Sequence, residues 1–158
     1  MATTIPKSEL RFRQWEQVYG PFKAGATTLV DSNTDTVDVP GELAADRLLD
    51  VFTKRTIVDA VEIVTHTSSG TGESQACPAR LVNCAAGQGL AAAISASRFI
   101  TASLDLQAAT TGAVNTPTID ETYNEIAAGG RLGLDVTPAN TPDVEGVLIK
   151  VRYREYEG

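Results

Sequence analysis

The chain has 158 residues, 42% hydrophobic and 21% charged, enough for one domain with its own core and short for two. Thirteen Lys and Arg against 20 Asp and Glu give a formal net charge of −7, which argues against a general nucleic-acid binder, because phosphate contacts need a basic face. No run of about 18 apolar residues is present to cross a membrane, no apolar stretch opens the chain as a signal peptide would, and one His with two Cys leave few ways to build a transition-metal or His-based catalytic centre.

Charge is uneven along the chain. Residues 1–23 hold four basic and two acidic residues, a net +2, and the rest hold nine basic and 18 acidic, a net −9. Four of the nine Phe, Trp and Tyr residues also fall in this first stretch: Phe12, Trp15, Tyr19 and Phe22. Disordered tails are poor in aromatics, so the stretch reads as an arm that docks, either on the edge of its own sheet or on a partner. The expected division is a docking arm at 1–25 and a β-sandwich domain at 26–158, with residues 23–28 as the hinge. Aromatics and Arg are the usual interface anchors, which singles out Arg11, Phe12, Arg13, Trp15, Tyr19 and Phe22.

In the body, T-V-D-V at 36–39 is a short alternating stretch closed by Pro40-Gly41. Leu48 to Phe52 is an apolar run ended by Lys54-Arg55, and T-I-V-D-A-V-E-I-V-T at 56–65 reads as a half-buried strand. Residues 67–72 read as a loop, 80–84 as a strand and 85–89 as a turn. Residues 90–106 are ambiguous: an Ala-rich loop or short helical turn, then an alternating strand around Phe99 to Leu106. Residues 108–117 are expected to be a loop, 123–127 a short element, and R-L-G-L-D-V at 131–136 a strand. A Pro-containing connector at 138–146 leads to the clearest strand, V-L-I-K-V-R-Y-R-E-Y at 147–156. There Val147, Ile149, Val151 and Tyr153 face one way and Leu148, Lys150, Arg152 and Arg154 the other. Short strands joined by Gly-, Pro- and Thr-rich loops, without a βαβ rhythm or an internal repeat, predict an all-β sandwich or barrel.

Few side chains offer chemistry. Asp31, Asn33, Asp35 and Glu42 have the spacing of a calcium loop, but Thr36 stands where the sharp turn needs Gly, so a polar turn is the better reading. Cys77 and Cys84 are too far apart and too few for zinc; two buried thiols are expected, with a disulfide as the alternative. Gly70-Thr71-Gly72 and Gly87-Gln88-Gly89 are ordinary turns, without the Lys and Ser/Thr of a phosphate loop. His66 among hydroxyls lacks a nucleophile elbow, and Asp120-Glu121 reads as a solvated loop. No catalytic residue, metal or cofactor is therefore expected. Lys150, Arg152 and Arg154 form a basic stripe, read either as the solvent side of a sheet or as a contact for an acidic partner.

Three stretches resemble the head decoration, or capsid cement, proteins of tailed bacteriophages: T-D-T-V-D-V-P-G at 34–41 after a basic-aromatic start, T-I-V-D-A-V-E-I-V-T at 56–65 with its Ser/Thr/Gly loop, and G-G-R-L-G-L-D-V-T-P at 129–138 followed by P-D-V-E-G-V-L-I-K-V-R-Y at 142–153. The resemblance implies a jelly-roll-like antiparallel β-sandwich that is not an enzyme. It implies a virion protein, made in the host cytoplasm, that sits on the capsid exterior and bridges the phage major capsid protein. It also implies a homo-oligomer, a homotrimer ahead of a homodimer, with no nucleic-acid or membrane partner. A carbohydrate-binding β-sandwich module of a phage tail or fibre is the alternative.

Overall fold

The computed structural model describes residues 12–24, 47–68, 77–137 and 144–156. Arg11, the calcium-like stretch at 31–42, the short strand expected at 36–39 and most of the hinge at 23–28 lie outside them. In chain order the elements are β1 (Phe12–Ala24), β2 (Arg47–Val51), β3 (Thr56–Val64), β4 (Thr67–Ser68), β5 (Pro78–Cys84), α1 (Leu90–Ser95), β6 (Leu104–Asp105), β7 (Val114–Asn115), β8 (Glu125–Ile126), β9 (Arg131–Val136) and β10 (Val144–Tyr156).

These strands form two antiparallel sheets. The first runs β1-β10-β3-β7, with β4 on β10 and β8 on β3; the second runs β2-β9-β5-β6. The expected all-β sandwich is what the structure has. Its core lies between the sheets: Val147, Ile149, Val151 and Tyr153 of β10 and Val61 and Ile63 of β3 meet Ala79 and Leu81 of β5 and Leu132, Leu134 and Val136 of β9. Each set follows from alternation, since every second side chain of a strand points to the same face.

Alternation in β3 breaks at Asp59-Ala60, and a bulge is the reason. Opposite Arg152 and Tyr153 of β10 stand Ala60 and Val58, so β3 carries one residue more than its partner there. The extra residue resets the phase. Val58 turns inward before the bulge and Val61 and Ile63 after it, which is why T-I-V-D-A-V-E-I-V-T is not a plain alternating run.

On the outer face of the second sheet, α1 covers Val82 and Cys84 with Leu90 and Ala93. So short a helix is marginal alone, and packing on β5 and β9 holds it. Gly133 of β9 lies beneath it, where an added Cβ would collide with Leu90. Cys77 belongs to the inter-sheet core and Cys84 to the patch under α1; both are buried and no disulfide joins them. Burial pushes the Cys77 thiol up to about 12, with the Asp105 charge as the lesser cause, so it stays protonated and inert at neutral pH.

Several boundaries differ from expectation because tertiary pairing decides short strands. Thr67-Ser68, expected in a loop, pairs with Glu145 and Val144. Val114-Asn115, expected in the loop at 108–117, pairs with Val64 and Ile63. The strand expected through 99–106 exists as isolated bridges at Phe99 and Thr101 and the two-residue β6. β10 begins at Val144, before the expected Val147. Residues 12–24 of the expected arm form β1, paired along its length with β10.

Replacing Gly133 by Val is expected to lower stability by about 1–3 kcal/mol through overpacking against Leu90, with a smaller loss for Ala. Urea unfolding of the three proteins measures this. A Val variant as stable as the parent would show that α1 does not rest on this strand.

Candidate interaction surface

The aromatic residues of β1 are tied into their own domain. Phe22 is buried in the core. Trp15, half-buried, stacks on Tyr153 with ring centres 5.2 Å apart, and Phe52 also lies against Tyr153, tilted, with ring centres 5.2 Å apart. Arg13 sits over the Trp15 ring at 5.6 Å. The Tyr19 hydroxyl donates to Asp50 Oδ2 at 2.7 Å and lies 2.7 Å from the Tyr153 hydroxyl. A phenol has one proton to give, so Tyr153 donates to Tyr19 and Tyr19 to Asp50. Burial chiefly, and the Asp50 charge to a lesser degree, raise both phenol pKa values, so both keep their protons. The chain of bonds links β1 and β10 of the first sheet to β2 of the second. Of the six expected interface residues, Phe22 is a core residue, Trp15 and Tyr19 are half-engaged, and Arg13 is exposed. The Phe12 side chain and Arg11 fall outside the described set.

The basic stripe of β10 is cancelled within its own sheet. Lys150 pairs with Glu62 at 2.5 Å, Arg152 with Glu16 at 3.0 Å and Arg154 with Asp59 at 3.0 Å. The carboxylates come from the two strands flanking β10, in the register that sets Arg152 beside both Glu16 and Ala60. The Glu62 carboxylate holds the Lys150 ammonium above its usual pKa. Exposed pairs of this kind add little stability. Their effect is to leave the outer face of the first sheet locally neutral, which removes the charge reason for an acidic partner there.

Beside this ladder runs an apolar row that sequence reading missed. Leu148 lies opposite Val64, and Val64 opposite Val114, so three strands set three aliphatic side chains in line. Leu148 is 38% exposed and Val114 59%, and Val18 of β1, cross-strand from Lys150, is 50% exposed. Alternation already put Leu148 on the outward side of its strand. Nothing in the sequence marks Val114, since its strand is two residues inside a Thr- and Gly-rich stretch.

The second sheet's outer face is differently occupied. Arg80 pairs with the buried Asp135 at 2.7 Å and lies over the Phe99 ring at 3.5 Å. Phe99 also lines a shallow groove of about 430 Å³ with Thr101, Ala102, Thr118, Ile119, Asp120 and Glu121. Asp120 Oδ1 accepts from the Thr122 amide at 2.8 Å, as in a local turn, and Glu121 is exposed. His66 is exposed in the turn after β3, its Cβ against Gly146. Among the described residues no group of three or more His, Cys, Asp and Glu could hold a metal ion.

No protein-family model and no curated protein matches the chain. Among solved structures it is similar to a chain of the capsid asymmetric unit of cyanophage Pam1, at 16% identity and a TM-score of 0.45, over 100% of this chain and 93% of that one.

Removing the Tyr19 hydroxyl leaves Asp50 and the Tyr153 hydroxyl each short of a partner. Tyr19→Phe is expected to cost about 1–3 kcal/mol. In a double-mutant cycle with Asp50→Ala, read by urea unfolding, the two losses fall short of adding, with a coupling of about 0.5–3 kcal/mol. Strict additivity would contradict the bonded chain.

Proposed function

We propose that this chain is a structural virion protein that decorates the outside of a phage capsid and stabilises it by bridging major capsid protein subunits. The aliphatic row of Leu148, Val64 and Val114, exposed at Leu148 and Val114 and half-buried at Val64, with exposed Val18 nearby, is the observation that carries this reading. It lies on a sheet face whose basic stripe is already paired in cis, so burying that face against a protein leaves few ions stranded. Interfaces of this kind have an apolar centre and a polar rim, and they need complementarity rather than reactive side chains. The three sequence stretches that resemble capsid cement proteins support the same role; the distant structural neighbour carries none of it. Segment 1–25 enters the proposal through β1, whose exposed Glu16 and Val18 stand on that outer face beside Arg152 and Lys150.

Sugar binding has less support. It wants aromatic rings standing free in a cleft. Phe52 and Tyr153 are buried, Phe99 carries Arg80 on its ring and Tyr123 has Arg98 above it at 5.7 Å.

The test is co-sedimentation with assembled capsids against unassembled capsid subunits. The full chain is expected to pellet with capsids. The double change Leu148→Glu with Val114→Glu is expected to weaken binding at least about tenfold, about 1.4 kcal/mol, with its melting temperature unchanged. Val51→Glu, at a 61% exposed position of the other sheet, is the control and binds as the parent does. Equal binding by all three would overturn the assigned face.

A further inference from the structure

Among the described residues, the first sheet ends at β1. Eight residues, Phe12 to Tyr19, run in regular register with β10 on one side, from Phe12 opposite Tyr156 to Tyr19 opposite Ile149. The register shifts only beyond Tyr19, where Gly20 takes a φ of 110°. On the other side no described strand pairs with β1. An edge strand presents its remaining N–H and C=O groups as a template for another strand. Arg13, Gln14, Glu16, Gln17 and Val18 are all exposed along this edge.

We propose that two copies of this chain pair β1 to β1, antiparallel, about a twofold axis at Trp15, so that the first sheet continues from one subunit into the other. Side-chain alternation limits the registers. For both sandwiches to keep their cores on the same side, inward residues must oppose inward residues. Trp15, Gln17 and Tyr19 share a face with the inward Tyr153, Val151 and Ile149, and Gln14, Glu16 and Val18 share the outer face with Arg154, Arg152 and Lys150. The allowed axes therefore pass through a residue of β1. An axis at Glu16 sets two carboxylates directly opposite, which is destabilising. An axis at Gln17 sets Glu16 against the partner's Val18. The axis at Trp15 sets Arg13 against the partner's Gln17, Gln14 against the partner's Glu16, and Trp15 against the partner's Trp15. Each carboxylate and guanidinium then meets a side-chain amide, and no like charges oppose.

Charge favours the contact as well. The whole chain carries −7 and copies repel, but residues 12–19 hold one cation, Arg13, and one anion, Glu16, which is bridged by Arg152. A twofold contact closes at two copies, so it selects the dimer over the trimer that the sequence resemblance favours. It uses the edge of the sheet and leaves the outer face clear.

Sedimentation velocity of the full chain over a concentration series, without capsids, is the test. Two substitutions at one exposed position separate the registers. Gln14→Glu places a carboxylate opposite the partner's Glu16 twice per dimer and is expected to raise the dimer Kd roughly tenfold. Gln14→Lys places an ammonium there and is expected to lower it. Circular dichroism should show the same fold for all three. The one Trp of the chain reports directly: its emission should shift as the dimer is diluted apart. A chain that stays monomeric, an assembly of three copies, or equal shifts in Kd from Glu and Lys would each overturn the proposal. Capsid binding can fail with the dimer intact, or the reverse, so the two readings fall separately.

Discussion

The two-sided pairing of β10 is the constraint on which the rest depends. It is the inner strand of the first sheet, held by β1 on one side and β3 on the other. Its inward face supplies Val147, Ile149, Val151 and Tyr153, all fully buried, to the space between the sheets. Burying one such side chain is worth roughly 1.5–3 kcal/mol. Its outward face carries Lys150, Arg152 and Arg154, which cannot be buried and so keep that side at the surface. One residue period thus decides at once where the core sits, which face is wet and where the cations stand.

Every other feature answers to that strand. β3 matches its cations with Glu62 and Asp59, and the bulge brings Asp59 to Arg154 while returning Val61 and Ile63 to the core. β1 adds Glu16 for Arg152 on the outside and Trp15 for Tyr153 on the inside. The Tyr153, Tyr19 and Asp50 hydrogen bonds then reach across to the second sheet. The result is an outer face with no net local charge and a remaining apolar row, which suits a broad contact with another protein better than recognition of an ion or a small molecule.

Local pattern explains what was legible in the sequence. The facing of every outward and inward residue from Val147 to Arg154 followed from alternation alone, as did the strand at 131–136, while recurrent Val and Ile marked the strand at 56–65 without revealing its bulge. Pairing was not legible. β1 meets β10 across a separation of 134 residues at Tyr19 and Tyr153, and no local signal encodes a contact of that range. The fate of the basic stripe depended on the same missing knowledge. The matching acids at Asp59 and Glu62 were visible as residues, but only register makes them partners. Val114 stayed hidden because a two-residue strand is made by its neighbour, not by its own propensity.

On the proposed function, the outer face of the first sheet meets the capsid. Hydroxyl-radical footprinting of the free and capsid-bound protein reads it at individual side chains. Val18, Leu148 and Val114 should lose reactivity on binding, while Val51, on the second sheet, keeps it. Loss of reactivity at Val51 with Leu148 and Val114 unchanged would contradict the account.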